Sequence, residues 1–128
     1  MKYALIIHSD SAEGARTAVD FARAAITRGH EIVKVFFYHD GVQQGLAPRV
    51  VPQDEIDPLG LWRELHEEHQ VPLTVCIAAA LRRGVLDDQE RARYERAAEP
   101  LAPQFEIAGL GQLVEAGIDA DRTITFGA

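Results

Sequence analysis

Short apolar runs alternate with helical periods along the whole chain, and this alternation limits the possible folds more than any other feature of the sequence. Residues 3–7 form an unbroken apolar run, and residues 31–38 are rich in β-branched and aromatic side chains. Between them, residues 12–28 place apolar side chains three and four positions apart, which is typical of an amphipathic helix. Runs that are apolar throughout are typical of strands in a parallel sheet covered on both faces. The start of the chain therefore predicts a strand-helix-strand unit.

The same pattern continues to the end of the chain. Helices are predicted over residues 59–70, 77–84 and 110–116, and a charged, partly irregular helix over residues 87–98. A third strand is predicted to begin at Pro72, a fourth to cover residues 105–107 and a fifth to cover residues 122–126. Glycines at 29, 84 and 117 are expected to end three of the helices.

Residues 40–58 break every period, because three prolines and two glycines interrupt them and acidic residues keep the stretch polar. A loop of this length inside a small domain is expected to be either functional or mobile. Whether residues 41–57 close over a site is left open by the sequence.

Strands that alternate with helices predict the α/β class. The expected architecture has three layers, with an open, mainly parallel, five-stranded sheet and helices on both faces. At 128 residues the chain is long enough for one hydrophobic core, so a single domain over residues 1–128 is predicted. In such sheets, ligands and catalytic groups collect where the strands end, at their carboxyl ends.

Charge excludes several kinds of partner. Asp and Glu number 20 against 13 Lys and Arg, which gives a formal net charge of −7. The resulting field repels nucleic acid and anionic membrane surfaces, so no direct nucleic-acid or membrane partner is expected. No stretch is long and apolar enough to span a bilayer, and the first residues lack a signal-peptide pattern. The cytoplasm is the expected compartment.

Cys76 is the only cysteine, and it falls where the third strand turns into an alanine-rich helix. One interpretation is structural: free cysteine is among the most buried residue types and fills corners well. The other is functional: backbone N–H groups of the first helical turn, from Ile77, Ala78 and Ala79, would favour a thiolate. The residues alone leave both interpretations open.

Because Cys76 is the only cysteine, few thiol reactions are open to it within the chain. A single cysteine cannot form an internal disulfide, and a thiolate that attacks a sulfane sulfur becomes a persulfide. With no second cysteine to resolve it, the sulfur must leave to another molecule. If Cys76 is reactive, the sequence therefore predicts a sulfur carrier.

Other residues support weaker predictions. Arg82 and Arg83 could supply positive potential to an anionic sulfur, or could oppose the dipole in the last turn of their helix. His39 follows the second strand, so it belongs either to the active edge or to a turn.

Metal and nucleotide sites have little support in the sequence. His66 and His69 are spaced for one helix face, but no companion ligands accompany them, so solvent-facing histidines are expected. Gly109 and Gly111 open a helix without the third glycine of a dinucleotide fingerprint, which favours a tight turn. No cofactor and no metal are expected.

Several stretches of the sequence resemble the DsrE/TusD family of sulfur-relay proteins. These are residues 35–42, 52–55, 76–87 and 109–113, and the similarity runs nearly from end to end. The block that begins at Cys76 is the most specific of them.

The resemblance implies a DsrE-like fold of flavodoxin-like type and a persulfide on the cysteine that matches Cys76. It also implies a sulfurtransferase that works in the relay for tRNA 2-thiouridine synthesis. The implied partners are TusB- and TusC-like subunits in a heterohexamer, a TusA-like sulfur donor and a TusE-like acceptor. A protein that hands sulfur to other proteins needs no direct contact with tRNA, which agrees with the acidic net charge.

Three alternatives remain. The resemblance also allows a DsrE-type subunit of a DsrEFH complex in dissimilatory sulfur oxidation. A non-catalytic structural subunit is suggested by apolar residues on short helices, including Trp62, which is expected in the core or at a subunit interface. A small-ligand or nucleotide-binding module rests on fold analogy and the glycine pair alone.

Overall fold

The computed structural model describes residues 1–96 and 100–127, which form five strands, five α-helices and one 3-10 helix. The strands are β1 (Lys2–Ile7), β2 (Glu31–Phe37), β3 (Leu73–Cys76), β4 (Phe105–Ala108) and β5 (Arg122–Phe126). The α-helices are α1 (Ala12–Thr27), α2 (Pro58–His69), α3 (Ile77–Arg82), α4 (Asp88–Arg93) and α5 (Leu110–Asp119). The 3-10 helix, His39–Gly45, follows β2.

All five strands are parallel and lie in the order β4-β3-β2-β1-β5. The predicted α/β class with an open five-stranded parallel sheet is therefore confirmed. The order differs from the 2-1-3-4-5 order of flavodoxin. Here the chain steps from β1 to β4 in one direction and then returns to place β5 on the other side of β1, so the order reverses at β1.

Helices cover both faces of the sheet. On one face, the ring of Tyr3 lies 5.3 Å from Phe21 of α1, and Phe37 lies 5.0 Å from Trp62 of α2. Successive strand residues point to opposite faces, so Lys34 lies on the other side. There its Nζ donates a 2.6 Å hydrogen bond to Gln112 Oε1 of α5. The three predicted layers are present.

Capping residues explain where the helices begin. The side chain of Ser11 accepts a hydrogen bond from the Gly14 amide and starts α1, as the polar residues after β1 predicted. Asp57 caps α2 in the same way, with Pro58 in the first turn. Gly29, with φ of 84°, follows α1 as the predicted C-terminal glycine.

Several boundaries differ from the prediction. The 3-10 helix His39–Gly45 occupies the first part of the predicted loop over residues 40–58, and α5 continues through Gly117 to Asp119. The charged helix predicted over residues 87–98 ends at Arg93, and residues 97 and 98 lie outside the described residues.

Trp62 belongs to the core. It is fully buried, packed against Phe37 in one hydrophobic cluster that includes Leu5, Val35 and Val75. Because Trp62 is fully buried within its own chain, it cannot form part of a surface patch or a subunit interface. None of the helices formed by residues 1–96 and 100–127 is long and apolar enough to cross a bilayer.

Candidate functional site

Cys76 is the last residue of β3 and the N-cap of α3, so it lies at the carboxyl edge of the sheet as predicted. It pairs with Ala108 of β4 and is only 2% exposed. Its side chain makes no capping hydrogen bond. The position expected for a functional cysteine and the burial expected for a structural one therefore occur together in the same residue.

Ile77 and three alanines follow the cysteine in α3. Ile77 is half-buried, Ala78 is exposed and Ala79 is buried. The helix has six residues, so it offers little more than one and a half turns. Ala79 and Ala80 belong to the hydrophobic core, so the middle of α3 packs against the rest of the domain. The supporting roles of Ile77, Ala78 and Ala79 stay predictions.

The two arginines of the predicted site do different things. Arg83 Nε donates to Asp40 Oδ1 at 2.9 Å, and Arg83 NH1 donates to the Ala79 carbonyl at 3.0 Å. Arg83 thus ties the end of α3 to the start of the 3-10 helix. Arg82 is exposed and lines a surface groove with Leu81 and Tyr94. The structure gives Arg83 a structural contact and leaves Arg82 facing solvent.

His39 lies both at a turn and at the carboxyl edge, where it packs in an aromatic cluster. Its φ of 47° is in the left-handed region, which few non-glycine residues adopt. Its ring centroid lies 4.3 Å from Tyr38 and 4.6 Å from His8, which follows β1. Tyr38 and Cys76 directly follow the paired residues Phe37 and Val75, so the cluster and the cysteine occupy neighbouring strand ends.

Sequence reasoning missed His8 and Tyr38. Each directly follows the last residue of a strand, His8 after β1 and Tyr38 after β2. The rule that parallel strands end at one edge of the sheet applies to both residues. Extending that rule from Cys76 to every strand end would have found them.

The 3-10 helix is anchored by a buried glutamine. Gln44 is 1% exposed, and its Oε1 accepts a 2.6 Å hydrogen bond from Trp62 Nε1. Its Nε2 donates a 2.7 Å bond to the Ser9 carbonyl in the loop after β1. One side chain therefore joins the 3-10 helix to α2 and to the end of β1, which fixes one wall of the carboxyl edge.

Replacing Gln44 with leucine is expected to destabilise the fold by about 2–4 kcal/mol. The change leaves the Trp62 indole N–H and the Ser9 carbonyl without their partner, and an unsatisfied buried group costs ~1–3 kcal/mol. Urea unfolding followed by tryptophan fluorescence measures the loss. Gln43→Leu is the matched control, because Gln43 is half-buried and a leucine there breaks neither bond. Equal stability of the two variants would contradict the anchoring role.

The stretch after the 3-10 helix is also held in place. Arg49 donates to both carboxylate oxygens of Asp10, one at 2.9 Å, and to the Gln43 carbonyl at 3.0 Å. The hydrogen bond with Asp10 raises the pKa of the Arg49 guanidinium above its ordinary value, so this cation stays charged. The Ala47 amide donates to the Pro100 carbonyl. Residues 46–49 are thus anchored from two sides.

A hollow of about 290 Å³ lies beneath the rest of this loop. Asp10, Gln44, Arg49 and Asp57 are among the residues that line it, and Cys76 is not.

The structure places the residues of the metal and nucleotide interpretations on two different helices, α2 and α5. His66 is half-buried and its Nδ1 lies 2.9 Å from the Val71 carbonyl, so it is not the solvent-facing histidine that was expected. Across residues 1–96 and 100–127, no group of three or more His, Cys, Asp or Glu side chains is placed to hold a metal ion. Gly109 is the N-cap of α5 and Gly111 lies in its first turn, where both are exposed.

The geometry around Cys76 does not by itself show which protein family the chain belongs to, and comparison with known proteins does. The DsrE/DsrF-like family matches residues 1–126 of the chain. The chain belongs to the DsrE/DsrF-like family. The resemblance of the cysteine block to sulfur-relay proteins is thereby confirmed at the level of the family.

Several relatives are similar to this protein over nearly its full length. The sulfurtransferase TusD homolog of Pseudomonas aeruginosa is 48% identical, with 99% of this chain and 98% of that protein covered. DsrE of Allochromatium vinosum is 45% identical, with 99% of each covered, and sulfurtransferase TusD of Salmonella typhi is 38% identical, with 98% and 100% covered. These relatives support a sulfur-transfer role for the chain.

A solved structure has the same fold. The ychN protein from E. coli superposes with a TM-score of 0.73 over 98% of this chain and 99% of that one. Its sequence identity is 20%, so the likeness concerns the fold alone.

Proposed function

We propose that this DsrE/DsrF-like protein is a sulfurtransferase that accepts a sulfane sulfur as a persulfide on Cys76 and passes it to a partner protein. One observation carries the proposal. The only cysteine of a chain matched end to end by proteins named sulfurtransferase lies at the carboxyl edge of a parallel sheet. That edge is where such sheets place their reactive groups.

The transfer needs no outside oxidant. The Cys76 thiolate attacks the terminal sulfur of a donor persulfide, so the donor S–S bond breaks and a new S–S bond forms on Cys76. The electron pair of the broken bond leaves with the donor, which becomes a thiolate. In the second step the acceptor thiolate attacks the outer sulfur of the Cys76 persulfide, the S–S bond on Cys76 breaks, and Cys76 leaves as a thiolate. A chain with one cysteine can do no more than carry the sulfur.

Burial sets a condition on this chemistry. With 2% exposure, the thiol must be uncovered by a local opening or by contact with a partner before it can react. The element beside it is short, with six residues in α3, and the Arg83–Asp40 ion pair at its far end is partly exposed, so that pair adds little stability against such an opening. Movement of α3 would expose the thiol without unfolding the sheet.

The proposed setting is the cytoplasmic relay for tRNA 2-thiouridine synthesis, in a heterohexamer with TusB- and TusC-like subunits. A TusA-like protein would supply the sulfur and a TusE-like protein would take it. The apolar stripe on α5 supports an assembly of this kind: Leu110 is 47%, Val114 is 61% and Ile118 is 80% exposed, four residues apart on one helix face.

A DsrE-type role in a DsrEFH complex for sulfur oxidation is the second candidate. The 45% identity to DsrE of Allochromatium vinosum supports it about as well as the TusD identities of 48% and 38% support the first candidate. Deleting the gene separates the two candidates. Loss of 2-thiouridine from tRNA favours the first, and loss of growth on reduced sulfur with intact tRNA favours the second. The structural-subunit alternative predicts full activity of an assembly that lacks the thiol.

The sulfur-carrier proposal is tested by loading the protein with a small alkyl persulfide and measuring its intact mass. Cys76 is expected to gain one sulfur, to lose it when an acceptor thiol is added, and to be the single modified residue on peptide mapping. The experiment is run on the chain alone and with its co-purifying subunits, because the thiol is buried in the chain alone. Absence of the added sulfur in both samples would contradict the proposal.

A further inference from the structure

A groove of about 580 Å³ lies at the end of α3, and it differs from the other hollows in its charge. Its wall and floor are apolar, from Leu81, Leu86, Tyr94 and Pro100, and its rim carries Arg82 and Arg96. We call these residues the arginine groove. Among the residues that the structure describes, its lining includes two arginines and no carboxylate, whereas the hollows near residues 46–60 include several Asp and Glu side chains.

The cations of the arginine groove are available to a ligand. Arg82 and Arg96 are exposed and form no ion pair within the part of the chain that the structure describes. The guanidinium of Arg96 donates a 3.2 Å hydrogen bond to the Tyr94 carbonyl. By contrast, Arg83 is bound to Asp40. On a protein with a net charge of −7, two exposed arginines beside apolar side chains form a local site of opposite sign.

The groove lies close to the reactive cysteine. Leu81 is five residues from Cys76 along α3, which is roughly 7.5 Å at the helical rise per residue. An extended peptide covers that distance in two or three residues. A segment bound in the arginine groove could therefore present a cysteine of its own to Cys76.

We propose that the arginine groove binds an extended acidic peptide segment of the protein that exchanges sulfur with Cys76. The apolar floor would take one aliphatic side chain of that segment, with Leu86 only 6% exposed beneath it, and the two arginines would pair with flanking carboxylates. The volume and apolar lining suit a peptide better than a small oxyanion, which needs neither. This proposal rests on the proposed sulfur-carrier function and adds the kind of partner surface it requires.

The test compares three synthetic hexapeptides of equal length, run on the chain together with its co-purifying subunits. Each contains one leucine and, three residues away, a cysteine activated as a mixed disulfide with thionitrobenzoate. Two positions beside the leucine are glutamate, glutamine or lysine. Cys76 attacks the peptide sulfur, the old S–S bond breaks, and coloured thionitrobenzoate leaves with the electron pair. The acidic peptide is expected to react about tenfold faster than the lysine peptide.

The double variant Arg82→Glu/Arg96→Glu is expected to reverse this preference. Arg16→Glu/Arg28→Glu is the matched control, because it changes the net charge equally through two exposed arginines of α1 and its C-cap. It should keep the preference of the wild type. An unchanged preference in the groove variant, or equal loss in the control, overturns the proposal, as does thiosulfate competing as well as the acidic peptide.

The outcome also separates this proposal from the function on which it rests. If Cys76 reacts with a small alkyl persulfide and with all three peptides at one rate, the groove proposal fails and sulfur carriage stands. If Cys76 reacts with none of them, sulfur carriage fails and the groove proposal fails with it.

Discussion

Replacing Cys76 with serine is expected to abolish sulfur transfer, with activity falling below detection. The chain has no second cysteine that could take over, and a hydroxyl neither forms a persulfide nor ionises near neutral pH. The measurement is single-turnover transfer of labelled sulfur from a donor persulfide to an acceptor protein, with every other component of the assembly unchanged.

Stability needs a separate control, because residue 76 is buried. A serine there places a hydroxyl in an apolar site, which lowers the free energy of unfolding by ~1–3 kcal/mol. Cys76→Ala removes the sulfur without adding a polar group. Both variants are expected to remain folded and to lose transfer equally. Sulfur transfer by a folded Cys76→Ala protein would show that the cysteine is a packing residue and would favour the structural-subunit alternative.

Replacing Gly41 with alanine is expected to destabilise the fold by ~3 kcal/mol and to disturb the carboxyl edge. A Cβ at this position would lie 2.1 Å from the Ile7 carbonyl oxygen and 2.8 Å from its carbon, both backbone atoms that cannot move aside. The same carbonyl accepts the Tyr38 amide at the end of the β1–β2 ladder. Either the 3-10 helix shifts away or the ladder opens at its end.

Gly111→Ala is the matched control, since a Cβ at Gly111 meets nothing within 4 Å and the residue is helical. It is expected to stabilise the protein by about 0.4–1 kcal/mol. Thermal unfolding gives both values, and amide exchange at Tyr38 reports the ladder end directly. A Gly41→Ala protein as stable as wild type, with unchanged protection at Tyr38, would mean that the helix accommodates the added methyl group.

Most of the fold could be predicted because its signals are local. The run over residues 3–7 and the apolar stretch over residues 31–38 are hydrophobic along their length, and solvent exclusion on both faces follows from that alone. The 3-10 helix His39–Gly45 was missed because it has no local signal: His39 adopts a positive φ, and Gly41 is required by a backbone atom of β1. Such requirements arise only once the strands have assembled.

The candidate site was predictable to the same extent. The sequence points to Cys76 because it is the only cysteine and because a strand changes to a helix at that residue. Its 2% exposure depends on how α3 and the 3-10 helix pack. For Trp62, too, the sequence left the degree of burial undecided. Its helical spacing allowed either core or interface, and its hydrogen bond to Gln44 with full burial decides for the core.

The α/β class, the order of strands and helices along the chain and the presence of a single thiol could all be read from the sequence. These follow from hydrophobic periodicity and composition, which are properties of neighbouring residues. Three features depend on the assembled fold: the lateral order β4-β3-β2-β1-β5, the cluster of His8, Tyr38 and His39 at the carboxyl edge, and the arginine groove. These join residues far apart in the chain, and only the packing of the sheet and its helices brings such residues together.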